Sequence, residues 1–121
     1  MKKISNKYYS KRQEMRVAKK SDGKAQINSG ATRFQKGDVK ISDIGILIEC
    51  KTKIAESKSL TIKKDWIEKL RQEAIGMGYN PNRTVLSISF GDEKDYYLIS
   101  DNFFQELLYL LRKEYKNGKE E

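Results

Sequence analysis

Asp38, Glu49 and Lys51 are the residues of this chain whose types and spacing can do chemistry together. Asp38 follows Gly37, and Glu49 and Lys51 stand two positions apart in Ile48-Glu49-Cys50-Lys51. In an extended strand the side-chain period is two, so Glu49 and Lys51 share one face while Ile48 and Cys50 share the other. The reactive types are thereby separated from the apolar ones. Hard cations such as Mg²⁺ take carboxylate oxygens and keep several waters. A lysine beside such a pair can orient or deprotonate a water, or neutralise a phosphate. The reaction this set suits is hydrolysis of a phosphodiester.

Positioning the three requires two adjacent strands. Val39-Lys40-Ile41 and Ile46-Leu47-Ile48 are short β-favouring runs separated by Ser42-Asp43-Ile44-Gly45, the pattern of a hairpin. Asp38 then lies where one strand begins, with Glu49 and Lys51 toward the end of the next, and a hairpin carries them to the same end. The spacing alone is weak evidence. In a chain with 35% charged residues, a turn aspartate and two solvated strand positions give the same pattern.

Upstream, a helix is expected from about Asn6 to Lys20, stopped by Ser21-Asp22-Gly23. Glu14 is its only acid and shares a helical face with Ser10, Val17 and Ala18, whereas Lys11, Arg12, Arg16 and Lys19 fall mostly outside. A carboxylate on the semi-apolar side of a basic helix wants a partner, and an Arg or Lys salt bridge is the plain alternative. Ala25 to Ser29 reads as a short first strand leading into Ser29-Gly30-Ala31-Thr32-Arg33-Phe34-Gln35-Lys36. Ser29, Thr32, Arg33 and Lys36 can donate to phosphate oxygens, which makes this a substrate-facing loop with Phe34 as a core anchor.

With these residues in place, the sequence resembles the PD-(D/E)xK nuclease superfamily, in Gly37-Asp38-Val39 and Glu49-Cys50-Lys51. Within it the chain is most similar to small Holliday junction resolvases of archaeal and phage type. These add a glutamate on a first helix and a Ser-Gly before the Asp motif, matched by Glu14 and Ser29-Gly30. The resemblance covers Glu14 to about Phe90, and Lys36-Gly37 stands where the proline of the family name would be. It implies a restriction-endonuclease-like fold and metal-dependent DNA cleavage in recombination and repair. Glu14, Asp38 and Glu49 would be the ligands of Mg²⁺, with Mn²⁺ as a substitute, and Lys51 the catalytic lysine.

Composition narrows the field. At 121 residues the chain suits one domain with one core. The expectation is a single nuclease domain over 1–121 with flexible tails at 1–5 and 117–121. No run of roughly 18 apolar residues occurs, and Met1-Lys2-Lys3-Ile4-Ser5 lacks the apolar stretch of a secretory signal, so a cytoplasmic location is expected. Cys50 is the only cysteine and histidine is absent. That excludes internal disulfides, zinc fingers, His-metal nuclease motifs and Ser-His triads. Residues 1–64 carry 17 Lys+Arg against 6 Asp+Glu, while residues 65–121 carry 8 against 11. Basic charge therefore sits in the half with the candidate site, as a phosphate-tracking surface requires.

Beyond Lys51, Lys53 continues the Glu49–Lys51 alternation. A helix from about Ile62 to Met77 presents Trp66, Ile67, Leu70 and Ala74 on its apolar face and leaves Lys63, Lys64, Lys69 and Arg71 mostly off it. Lys53 and Lys64 are candidate phosphate contacts, and Gln72 a candidate assistant from the helix. Gly76 to Asn82 punctuates the chain before a strand over Thr84–Phe90, a turn, and a partner strand Tyr96–Ile99. A last helix begins after Ser100 or Asp101, with Phe103, Phe104, Leu107, Leu108, Leu110 and Leu111 nearly all around it. It must lie deep against the sheet or supply a dimer interface.

The sequence thus predicts an α/β fold, one mixed five-stranded sheet flanked by helices in the order αβββαββα. The leading function is a Mg²⁺-dependent, structure-selective endonuclease for four-way or branched DNA, acting as a homodimer. The alternatives are a nicking or restriction-like nuclease on ordinary DNA, a non-catalytic nucleic-acid-binding protein, and an interaction protein using the last helix.

Overall fold

The computed structural model describes residues 6–26 and 38–120. Strands β1 (Lys24–Ala25), β2 (Val39–Ile41), β3 (Ile46–Thr52), β4 (Thr84–Ser89) and β5 (Tyr96–Leu98) lie side by side in chain order. The pairings β1–β2, β2–β3 and β4–β5 are antiparallel, and β3–β4 is parallel. Helix α1 (Asn6–Ser21) precedes the sheet, α2 (Lys64–Gly76) is the crossover between β3 and β4, and α3 (Asp101–Glu120) follows β5. The fold is α/β, and the αβββαββα order expected from the sequence is the one observed. The first strand begins at Lys24, one residue earlier than expected, and the Ile27–Ser29 part of the expected strand lies outside the described residues.

Strand alternation sorts the apolar residues into two cores. On one face Ile48 and Cys50 of β3 and Val85 of β4 pack with Val39, Ile41, Val17, Ala18 and Phe103, under α1 and the start of α3. On the other, Leu47, Leu86 and Ile88 pack against Leu70 and Ala74 of α2, with Trp66 and Ile67 at the margin. All six residues of β4 are buried, as expected of a central parallel strand. Cys50 is a buried core residue whose thiol is pushed far up by desolvation, then by the charges of Asp38, Glu14 and Glu49.

Helix α1 stops where the sequence predicts. Asp22 takes a left-handed conformation (φ 54°), tolerable for Asp, and the Gly23 N–H donates to the Ala18 carbonyl at 2.9 Å. Gly23 is required by proximity: a Cβ there would meet Ile41 Cγ1 and the Lys40 carbonyl at 3.0 Å. The chain can therefore turn from α1 directly into β1 with its backbone close against β2. Within α1, Gln13 is fully buried, and its Nε2 donates to the carbonyls of Lys51 at 3.1 Å and Ser87 at 3.2 Å, tying the helix to β3 and β4.

Two expectations are corrected. Arg16 does not point fully outward: its guanidinium makes a two-pronged pair with Asp95, 2.6 and 2.8 Å, which draws it against the β4–β5 connection. Helix α3 runs further than expected, continuing through residues 117–119 to Glu120. Gly118 costs a helix only about 1 kcal/mol, and Lys119 lies 4.7 Å over the Tyr115 ring one turn back. Helix α3 does begin as expected, with the Ser100 hydroxyl accepting from the Phe103 N–H at 3.2 Å. Among the described residues no helix is long and apolar enough to cross a membrane.

Candidate active site

The hairpin register places the chemistry. Val39, the first residue of β2, pairs with Ile48, which places Asp38 at the mouth of the ladder beside the Ile48–Cys50 stretch of β3. Backbone bonds hold it there: the Asp38 N–H donates to the Ile48 carbonyl and the Gln26 N–H to the Asp38 carbonyl, both at 2.9 Å. Asp38 Oδ2 accepts from the Cys50 N–H at 2.7 Å, which aims the carboxylate across the end of β3. Glu49 and Lys51 lie on the α2 face, opposite Ile48 and Cys50, and the Lys51 ammonium stands 3.8 Å from Glu49 Oε1.

Glu14 comes from α1, which covers the other face, yet meets the same carboxylate. The Asp38 charge acts on both Glu14 and Glu49. Burial, then the Asp38 charge, push the Glu14 carboxyl up to about 7. Glu49 is pushed up to about 8 by burial and by Asp38, with Glu73 adding to the shift and Lys51 opposing it. Three acids around one strand end hold more negative charge than their surroundings satisfy, a demand that a proton or a cation can meet.

Among the described residues, no three carboxylate or thiol groups stand ready in a metal-ligating cluster. In kind, the donors fit a hard cation, since all are carboxylate oxygens and the thiol of Cys50 belongs to the core.

A cleft of about 240 Å³ opens beside Glu49 and Lys51, closed on its far side by Asp65, Trp66, Lys69 and Glu73 of α2. The Lys51 ammonium sits 4.6 Å from the centre of the Trp66 ring, which restricts where the cation can point. Sequence reasoning missed Glu73, whose buried Oε2 has no hydrogen-bond partner among the described residues. It follows Trp66 and Leu70 by seven and three positions, the helical repeat that would have flagged it. Gln72, the helix residue singled out instead, is exposed. Removing the Glu73 charge with Glu73→Gln is expected to lower the Glu49 titration midpoint, read by carboxyl NMR titration. An unmoved midpoint would show that the two do not interact.

Of the remaining candidates, Lys53 is exposed just past β3, and Lys64 is exposed at the start of α2 with Glu68 3.8 Å away. Both are free to meet a polyanion, at the rim rather than inside the cleft. Ser29, Thr32, Arg33 and Lys36, with Gly30 and Phe34, lie outside the described residues. Compared with protein-family models, curated proteins and solved structures, the chain has no match.

Proposed function

We propose that this protein is a metal-dependent endonuclease of the PD-(D/E)xK type with a restriction-endonuclease-like sheet, hydrolysing phosphodiesters in branched DNA as a Holliday junction resolvase and working as a homodimer. The reading is carried by one observation: the Asp38 carboxylate, held on the Cys50 N–H, lies beside Glu49, with Lys51 3.8 Å from Glu49 on the same strand face. The net basic charge of residues 1–64 supports a polyanionic substrate. Absence of a base-reading motif fits recognition of shape and backbone.

Asp38 and Glu49 would hold Mg²⁺ or Mn²⁺, with Glu14 completing the shell directly or through water. Such a cation, when bound, polarises the phosphate and lowers the pKa of a bound water. Lys51, confined between Glu49 and the Trp66 ring, orients the attacking water and offsets charge on the phosphate. The water oxygen bonds to phosphorus in line with the leaving 3′ oxygen, and the P–O3′ bond breaks. The proton released by the water returns through solvent to the 3′ oxygen, leaving a 3′-hydroxyl and a 5′-phosphate.

Asp38→Asn and Glu49→Gln test the reading, because each removes charge without volume. Both are expected to retain or tighten junction binding in a gel-shift assay. Cleavage should fall by more than ~100-fold, the upper end of what losing a ligand's hydrogen-bonding partner costs. Undiminished cleavage would exclude this site. Tight binding with no cleavage by the unmutated protein would favour a non-catalytic DNA-binding protein.

A further inference from the structure

Helix α3 carries an apolar surface that remains exposed among the described residues. Phe103 is buried in the α1-side core, and Arg83 pairs with Glu106, so the helix is anchored by its first two turns. Beyond that anchor Phe104 is 49% exposed, Leu111 65% and Tyr115 65%. Phe104, Leu108, Leu111 and Tyr115 follow one another at steps of four, three and four. That spacing is the a/d repeat of a helix–helix seam. A shallow apolar concavity lies along it between Leu108, Leu111 and Tyr115. Apolar surface this continuous on a charged domain marks an interaction site.

The charge along α3 selects the occupant. Its first half, 101–110, carries Asp101 and Glu106 and no base, whereas 111–120 carries Arg112, Lys113, Lys116 and Lys119 against Glu114 and Glu120. A second copy laid parallel would set basic half on basic half. Laid antiparallel, each acidic half meets a basic half, and the helix dipoles oppose. We propose that two copies of this chain pair through α3 in antiparallel fashion, with Phe104 meeting Tyr115 of the second copy and Leu108 meeting Leu111. This centres the two-fold axis between Tyr109 and Leu110 and brings Asp101 to the last turn of the other helix, near Lys119.

The seam from Phe104 to Tyr115 spans ~17 Å of helix, the small end of specific interfaces. The dimer is accordingly a reversible one of micromolar affinity. The proposal rests on the homodimer of the proposed function and gives it an interface; because association is read without DNA, its failure is distinguishable from failure of the cleavage reading.

The experiment is sedimentation equilibrium of the full chain over a micromolar concentration series, beside Leu111→Glu. Leu111 touches solvent rather than the core, so the variant keeps its circular dichroism and thermal transition. The unmutated chain should dimerise and Leu111→Glu remain monomeric. Register is read by mixing Leu108→Cys protein with Leu111→Cys protein under mild oxidation; Cys50 is buried and does not compete. The mixed disulfide should exceed either self-disulfide. A monomer at all concentrations, a dimer that survives Leu111→Glu, or dominant self-disulfides from each variant alone would each overturn the proposal.

Discussion

Between about pH 5 and pH 8 the cation-free protein is expected to lose stability, and Mg²⁺ to restore much of it at the alkaline end. In the fold Glu14 and Glu49 hold their protons up to about 7 and 8, whereas in the unfolded chain both ionise near 4.5. The native state therefore binds more protons than the unfolded state through that window, and stability falls as pH rises through it. Below about 4.5 both states are protonated and the contribution is present in full. The Glu49 part is on the order of a few kcal/mol, since a tenfold change in proton affinity is worth about 1.4 kcal/mol. For a chain of this size that moves the melting temperature by roughly 10 °C.

Glu49→Gln should remove most of the slope and raise the cation-free melting temperature at pH 8, because a buried charge next to Asp38 and Glu73 has been deleted. A site kept at a cost to the fold is the usual signature of function. Melting curves from pH 4.5 to 8.5, with Mg²⁺ or EDTA, check both statements. A flat profile for the unmutated protein, or a profile that Mg²⁺ leaves unmoved, would remove the basis for cation binding by these carboxylates.

The second large effect is expected at Lys51. Lys51→Ala should lower single-turnover cleavage of bound DNA by ~10² to 10⁴-fold, the range for a group that assists proton transfer at the reacting centre. Junction affinity should change only a few-fold, since one phosphate contact among many is lost. Lys51→Arg should not rescue the rate. A planar guanidinium cannot substitute for the compact ammonium held 3.8 Å from Glu49 over the Trp66 ring. Retention of the rate in Lys51→Ala would assign the lysine to binding alone.

These expectations rest on features with different visibility in the sequence. The β3 alternation was legible because period-two side chains leave one possible division of Glu49 and Lys51 from Ile48 and Cys50. The β2–β3 hairpin register was legible for a related reason: the four residues from Ser42 to Gly45 leave little choice. Glu73 was not, because its place depends on how α2 crosses the sheet, which no local pattern states. The same holds for Gln13, whose two backbone acceptors lie 38 and 74 positions away, and for Arg16, drawn inward by Asp95 79 positions on. Glu14 was half legible: its helical face indicated an inward carboxylate, but a salt bridge suited that face as well as Asp38. For α3 the sequence left two destinations, the sheet or a partner, and of its apolar residues only Phe103 joins the core.

The most direct measurement is cleavage of end-labelled four-way junction, linear duplex and single-stranded DNA with Mg²⁺ or EDTA, with Glu49→Gln alongside. Paired cuts in the junction that disappear with EDTA and in the variant are expected, with little cutting of linear DNA. Equal cutting of linear duplex would contradict branch selectivity. Intact DNA on incubation of correctly folded protein with Mg²⁺ or Mn²⁺ would contradict the nuclease reading itself.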